Sequence, residues 1–238
     1  MQHAPRIALD IESQPDDTTC GPTCLQAVYR YFNDHLPLEQ VIHDIVPLDQ
    51  GGTLAVSLAA HALRRGYDAT IYTYNLQLFD PTWFRDGRAV DIVRRLQAQR
   101  ELKSDPKLAV ATDAYLEFFE LGGRLRFEDL EPKLLERLFD AETPVLTGLS
   151  ATYLYACARE GPLDYDDLGG EPAGHFVILC GYDREADTIR IADPLHDNPR
   201  YGAPYYDVDV RRLIRAILLG VLTYDANLLV LTPGDATP

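Results

Sequence analysis

In the N-terminal third of the chain, apolar positions recur at helical spacing. Leu25, Val28, Tyr29 and Phe32 follow steps of three and four and predict a helix over 20–33. Thr18 and Thr19 stand just before it as candidate caps. A second helix is predicted over 53–65, with Gly66 as its stop. Residues 69–74 (ATIYTY), rich in β-branched and aromatic side chains, read as a strand. From about 79 to 139 the pattern is helical again, with Ile92, Val93 and Leu96, then Tyr115, Phe118 and Phe119, then Leu134, Leu135 and Leu138. Pro81, Pro106 and Gly122–Gly123 divide that stretch.

The second half changes period. Residues 144–149 (PVLTGL) form a short apolar run between turn residues. Residues 175–182 (HFVILCGY) are apolar at both alternating sets of positions, as in a strand covered on both faces. A polar turn, 183–188, leads to a strand over 189–193 (IRIAD), which Pro194 ends. Residues 227–231 are the last strand candidate, and Leu213–Leu222 and the Tyr205–Tyr206 pair read as packing elements. Helices first and a mostly antiparallel sheet afterwards is the α+β pattern, here expected as one domain over 1–238.

Composition narrows the setting. Of 238 residues, 46 % are hydrophobic and 25 % charged, ordinary for a globular chain and against wholesale disorder. Asp and Glu outnumber Lys and Arg by 37 to 22, a net charge of −15. Such a surface repels phosphate backbones and anionic lipid, so neither nucleic acid nor a membrane is an expected partner. The start, MQHAPRIALD, lacks the basic and apolar regions of a secretory signal, and the chain is expected in the cytoplasm. Four unevenly spaced cysteines suit thiols better than a disulfide framework.

One of those cysteines has a reason to react. In QPDDTTCGPTC, Cys20 opens the first helix, where unpaired N–H groups and about half a positive charge favour a thiolate. Gly21 permits close approach of a substrate, and Pro22 suits a first turn. Gln14, in the preceding loop, carries an amide that could donate to the oxygen of a tetrahedral intermediate, beside the Cys20 N–H. A base and its orienting group are also needed. His175 opens the buried strand and Asp193 closes the next, so a hairpin can bring them together.

These residues together resemble the papain-like cysteine peptidases, specifically the C39-like group related to the peptidase domains of bacteriocin-exporting transporters. The resemblance rests on Gln14 and Cys20 before a helix, on GHFVILCGYD around His175 and on Ile191-Ala-Asp193-Pro194, and spans about 10–75 and 140–232. It implies a papain-like fold, no metal or organic cofactor, a peptide or small amide as partner, and cleavage through a thioester acyl-enzyme. It further implies Cys20 as nucleophile, His175 as base, Asp193 as its orienter and Gln14 as oxyanion donor. Cys20 and His175 lie further apart than a compact family core expects, so 79–139 reads as a helical insertion, a lid or substrate wall. Transfer of the acyl group to an amine, as on the papain-like scaffold of phytochelatin synthases, and a non-catalytic binding module are the alternatives.

Side-chain alternation makes the triad testable. His175 and Asp193 share a face only if paired residue numbers across the hairpin sum to an even value, as with Tyr182 opposite Thr188 or Ala186, or if a bulge intervenes. Tyr182 opposite Ile189 in a regular hairpin points them apart. Cys24 and Cys180 read as core residues, and a metal set of Cys20, Cys24, Cys157 and Cys180 fits no compact zinc spacing. His196 is a second candidate base, in an exposed-turn context. Asp164, Asp166, Asp167 and Glu171 read either as a solvated loop or as a cleft rim attracting amines, made mobile by Gly169, Gly170 and Gly174.

Overall fold

A computed structural model describes residues 7–48, 51–85 and 91–234. The N-terminal apolar periods become α1 (Cys20–Tyr31), a short α2 (Leu38–Asp44) that no strong period announced, and α3 (Ala55–Arg64). Gly66, at φ 85°, ends α3 in the left-handed conformation glycine tolerates, and β1 (Tyr67–Thr73) follows. Neither threonine caps α1. Thr19 is the N-cap residue, but its hydroxyl bonds back to Asp16, donating to the carbonyl at 3.0 Å and accepting the N–H at 3.2 Å. The first turn of α1 is therefore left without a side-chain acceptor.

The stretch 79–139 is not wholly helical. It contains a 3-10 turn (Pro81–Phe84), α4 (Ile92–Leu102), α5 (Pro106–Glu120), β2 (Arg124–Arg126) and α6 (Pro132–Phe139). Pro106 does not interrupt a helix but starts one. Its missing N–H costs nothing at the first position, and Asp105 caps the turn by accepting from Lys107 and Leu108. β2 pairs in parallel with β1 and forms one edge of the sheet.

The remaining elements are β3 (Val145–Ser150), α7 (Ala151–Tyr155), β4 (Gly174–Asp183), β5 (Thr188–Ala192), β6 (Tyr205–Asp209), α8 (Val210–Leu219) and β7 (Asn227–Pro233). Among the described residues the sheet has seven strands in the order β2-β1-β7-β3-β4-β5-β6, antiparallel except at the β2–β1 edge. The fold is α+β, as expected, although β1 and β2 come from the first half of the chain. Leu146, Phe176, Ile178 and Leu229 meet α1, α3 and α5 on one face. Val145, Leu149, Val177 and Leu179 meet α6, α7 and α8 on the other. β4 is thus covered on both sides, which explains its unbroken apolar run.

The β4–β5 hairpin decides whether a site can form. Next to the turn, Tyr182 lies opposite Ile189, the odd-sum register that would send His175 and Asp193 to opposite faces. A bulge between Leu179 and Gly181 adds one residue to β4, and beyond it Leu179 faces Ile191 and Ile178 faces Ala192. The sum is now even, so His175 and Asp193 return to one face. The even register expected at the turn is absent there, and the bulge at Cys180 supplies it. Leu146, fully buried between the layers, tests this core. Leu146→Ala is expected to cost about 2–5 kcal/mol, lowering the urea midpoint with the slope unchanged. A loss below about 1 kcal/mol would contradict such close packing.

Candidate active site

Asp193 follows the last residue of β5 and is completely buried. Its backbone N–H is held by the Pro204 carbonyl at 2.8 Å. Oδ1 accepts from the Leu195 N–H at 2.8 Å and faces His175 Nε2 at 2.9 Å. Oδ2 accepts from the hydroxyls of Tyr155 at 2.7 Å and Tyr206 at 2.5 Å. Every lone-pair direction of a buried carboxylate is thereby used. Burial opposes its charge, yet His175 and the two hydroxyls hold Asp193 below the ordinary carboxylate range.

The two tyrosines come from elements shaped for the purpose. Ser150 caps α7, a single turn that ends at Ala156 in the left-handed conformation, φ 54°. Tyr155 closes that turn and tilts over the His175 ring, centroids 6.1 Å apart. Tyr206 lies on β6 opposite Ile191, two residues from Asp193 on the same face, and Tyr201 stacks on it at 3.8 Å. Burial first, then the Asp193 charge, pushes both phenols upward, so they remain donors. The sequence reading missed both. The pair Tyr205–Tyr206 was visible, but only the β5–β6 register shows which of the two shares the face of Asp193.

His175 occupies the second position of β4 and is 6 % exposed. Burial disfavours its charge, but the Asp193 carboxylate and its hydrogen bond, with a smaller part from Cys20, raise it to about 10. Nε2 is committed to Asp193, so Nδ1 is the nitrogen left for a second partner, and Cys20 is near enough to favour the ring's charge. Cys20 belongs to a helix on the opposite face of the sheet. The two groups meet because His175 stands where β4 begins and Cys20 where α1 begins, with Phe176 beneath the α1 residues Gly21 and Cys24.

The other candidates separate clearly. The Gln14 loop is tied to the segment after Asp193, its N–H donating to the Pro194 carbonyl at 3.0 Å. Gln14 Nε2 donates to the Asp16 carbonyl at 2.8 Å, which orients the amide and leaves its second hydrogen for another acceptor. Cys24 is fully buried, with its thiol on the Phe176 carbonyl at 3.4 Å, and burial pushes it well up, as for an inert core cysteine. Cys180 is the bulge residue and packs with Phe176 and Ile178. No disulfide joins the four cysteines, and no group of three or more His, Cys, Asp or Glu among the described residues could hold a metal ion. His196 is not the base at this carboxylate, since Asp193 spends its acceptors on His175, Leu195, Tyr155 and Tyr206.

Beside His175 opens a cleft of about 320 Å³, lined by Gln14 and Asp17 on one side and by residues of 157–165 on the other. No described residue of 79–139 is among those lining it. The acidic rim is, and it is tied down rather than free. Glu160 and Glu171 exchange backbone hydrogen bonds at 3.0 and 2.9 Å, and Asp166 accepts the N–H groups of Leu168 and Gly169 at 2.9 Å. A Cβ on Gly170 would stand 2.5 Å from the Asp166 carbonyl oxygen, so that glycine serves close packing more than motion.

With this geometry, solved structures are informative. A candidate C39-like peptidase from Bacillus anthracis is 13 % identical, with a TM-score of 0.50 over 99 % of this chain and 100 % of that one. The chain has the fold of a papain-like, C39-like peptidase. Similar at lower scores are a double glycine motif protease from an AMS/PCAT transporter, solved with its leader peptide (14 % identity, TM-score 0.45, covering 96 % of this chain and 94 % of that one), and xylellain, a cysteine protease from Xylella fastidiosa (14 %, 0.43, covering 97 % and 87 %). No protein-family model matches the sequence, and no curated protein matches it. No helix among the described residues is long and apolar enough to cross a membrane.

The His175–Asp193 pair makes stability depend on pH. A histidine raised from 6.5 to about 10 on folding contributes fully below pH 6.5 and loses that contribution as pH rises through about 10. The gap in urea midpoint between the native chain and His175→Ala is expected to be widest near pH 6 and to narrow steadily toward pH 10. A gap that is constant or widens would contradict a protonated His175.

Proposed function

We propose that this chain is a cysteine peptidase or amidase, with Cys20 as nucleophile, His175 as general acid and base, Asp193 as the group that orients and charges the imidazole, and Gln14 as an oxyanion donor. What supports this most is the His175 ring, bonded through Nε2 to a buried carboxylate, with its other nitrogen uncommitted and Cys20 near enough to favour its charge. In the reactive form the Cys20 proton already resides on His175 Nδ1, and the thiolate attacks an amide carbonyl. The oxyanion that forms takes hydrogen bonds from the Cys20 N–H, at the uncapped start of α1, and from the Gln14 amide. His175 returns the proton to the leaving nitrogen as the C–N bond breaks, leaving a thioester on Cys20. Water, deprotonated by the same imidazole, then releases the acid. A reducing compartment such as the cytoplasm would keep the nucleophile a thiol.

The charges around the cleft favour one class of substrate. Apart from His175, the charged side chains lining it are the carboxylates Asp17, Glu160 and Asp164. Burial, then the nearby Asp17, raises Glu160 against the opposing charge of His175. Leu163, fully exposed, offers an apolar edge beside them. Peptides carrying Lys or Arg near the scissile bond, with an apolar neighbour, fit this wall better than acidic ones.

Hydrolysis of a pooled peptide library, read by mass spectrometry, tests both parts. Cleavage is expected to vanish in Cys20→Ala and to fall by about 10²–10³ in kcat in Gln14→Ala. Basic peptides are expected to outcompete acidic ones at low salt, and that preference should weaken as salt is added. Cleavage that survives Cys20→Ala would refute the nucleophile. Equal rates for basic and acidic peptides would refute the substrate class alone.

A further inference from the structure

The segment that carries Gln14 to the cleft belongs to no helix or strand. Along it Ile7, Leu9 and Ile11 are buried while Ala8, Asp10 and Glu12 are exposed, the alternation of an extended chain. Its apolar side pads the α1 face of the sheet, so it lies there as a strap. Half-buried extended backbone needs partners for its N–H and C=O groups. Here one side chain supplies two of them. The Tyr205 hydroxyl donates to the Leu9 carbonyl at 3.0 Å and accepts from the Ile11 N–H at 3.0 Å. Backbone bonds hold the strap at either side of this point, Ile7 N–H to the Cys180 carbonyl at 2.9 Å and Gln14 N–H to the Pro194 carbonyl at 3.0 Å. Arg30 of α1 also reaches Asp10 at 2.8 Å and Glu12 at 2.6 Å, but these pairs face solvent and hold little.

Tyr205 is itself held. It stands on β6 opposite Ala192, and the Arg190 guanidinium covers its ring at 5.9 Å while donating to Asp207 at 3.0 Å. Tyr206, the next residue, faces the other way and donates to Asp193. Adjacent tyrosines of one edge strand thus serve two parts of the site, Tyr206 the carboxylate and Tyr205 the strap that leads to Gln14.

We propose that Tyr205 is a positioning residue of this site, whose hydroxyl fixes the strap and through it the Gln14 amide at the cleft. The inference rests on the reading of Gln14 as oxyanion donor. A donor stabilises an oxyanion to the extent that it is in place before the charge forms, and a donor on a loop owes its place to the loop's tethers. Only Glu12 and Ser13 separate the Tyr205 tether at Ile11 from the Pro194 tether at Gln14. Without the hydroxyl, the Leu9 carbonyl and the Ile11 N–H lose their partner, and Gln14 is held from one side alone.

Tyr205→Phe removes the hydroxyl and keeps the ring. Two rates are compared at neutral pH: cleavage of the pooled peptide library, and alkylation of Cys20 by iodoacetamide with Cys20→Ala as blank. Iodoacetamide reacts at a saturated carbon and forms no oxyanion, so it needs the thiolate but not Gln14. Tyr205→Phe is expected to slow cleavage by about 10–10²-fold and to leave alkylation unchanged. Gln14→Ala should show the same split, and the double variant should cleave no more slowly than Gln14→Ala alone. A purely structural Tyr205 would lower the urea midpoint and slow both reactions alike. Native-rate cleavage in Tyr205→Phe, an equal fall in both rates, or effects that multiply in the double variant overturn the proposal. Native-rate cleavage in Gln14→Ala overturns the oxyanion reading beneath it, and a native chain that cleaves nothing overturns the peptidase reading itself.

Discussion

The site depends on a charge that the fold surrounds completely. A carboxylate with no solvent contact is tolerable only when its lone pairs are filled and a cation stands beside it. Asp193 meets both conditions, with a backbone N–H, two phenol hydroxyls and the His175 ring. Each donor comes from a different part of the chain: the turn after β5, the end of α7, β6 and the start of β4. Satisfying one buried charge thus fixes the mutual placement of four elements, and the orientation of His175 follows from it.

One extra residue in β4 makes that placement possible. Without the bulge after Leu179, the register set at the Tyr182–Ile189 pair would carry through the hairpin, and the imidazole and carboxylate would lie on opposite faces. The bulge residue, Cys180, is not idle, since its carbonyl accepts the Ile7 N–H at 2.9 Å and holds the N-terminal segment to the sheet. The loop carrying Gln14 is fastened in turn to Pro194, next to Asp193. Gln14, His175 and Asp193 are therefore referenced to one short stretch of backbone, and α1 brings the Cys20 sulfur toward it from the other face.

Much of this was legible in the sequence. The strong periods gave α1, α3, β3, β4 and β5 nearly to the residue, because each buries a continuous apolar face. That His175 and Asp193 come together could be read from context, since two strand ends joined by a hairpin are positions that motif and period both mark. Tyr155 and Tyr206 could not, because a tyrosine in a core pattern looks the same whether its hydroxyl meets water or a carboxylate. Within the stretch 79–139 the strand β2 was not foreseen, because its three residues are too few to show a period of two.

The stabilisation of a protonated His175 ring by the Asp193 carboxylate is the centre of the account, and an NMR titration of the His175 ring measures it directly. In the native chain the ring should remain protonated well above pH 6.5, the ordinary histidine value, with its midpoint toward about 10. In Asp193→Asn the midpoint should fall steeply, because burial then acts with most of the opposing charge removed. A native midpoint at or below 6.5, or one that Asp193→Asn leaves in place, would contradict it.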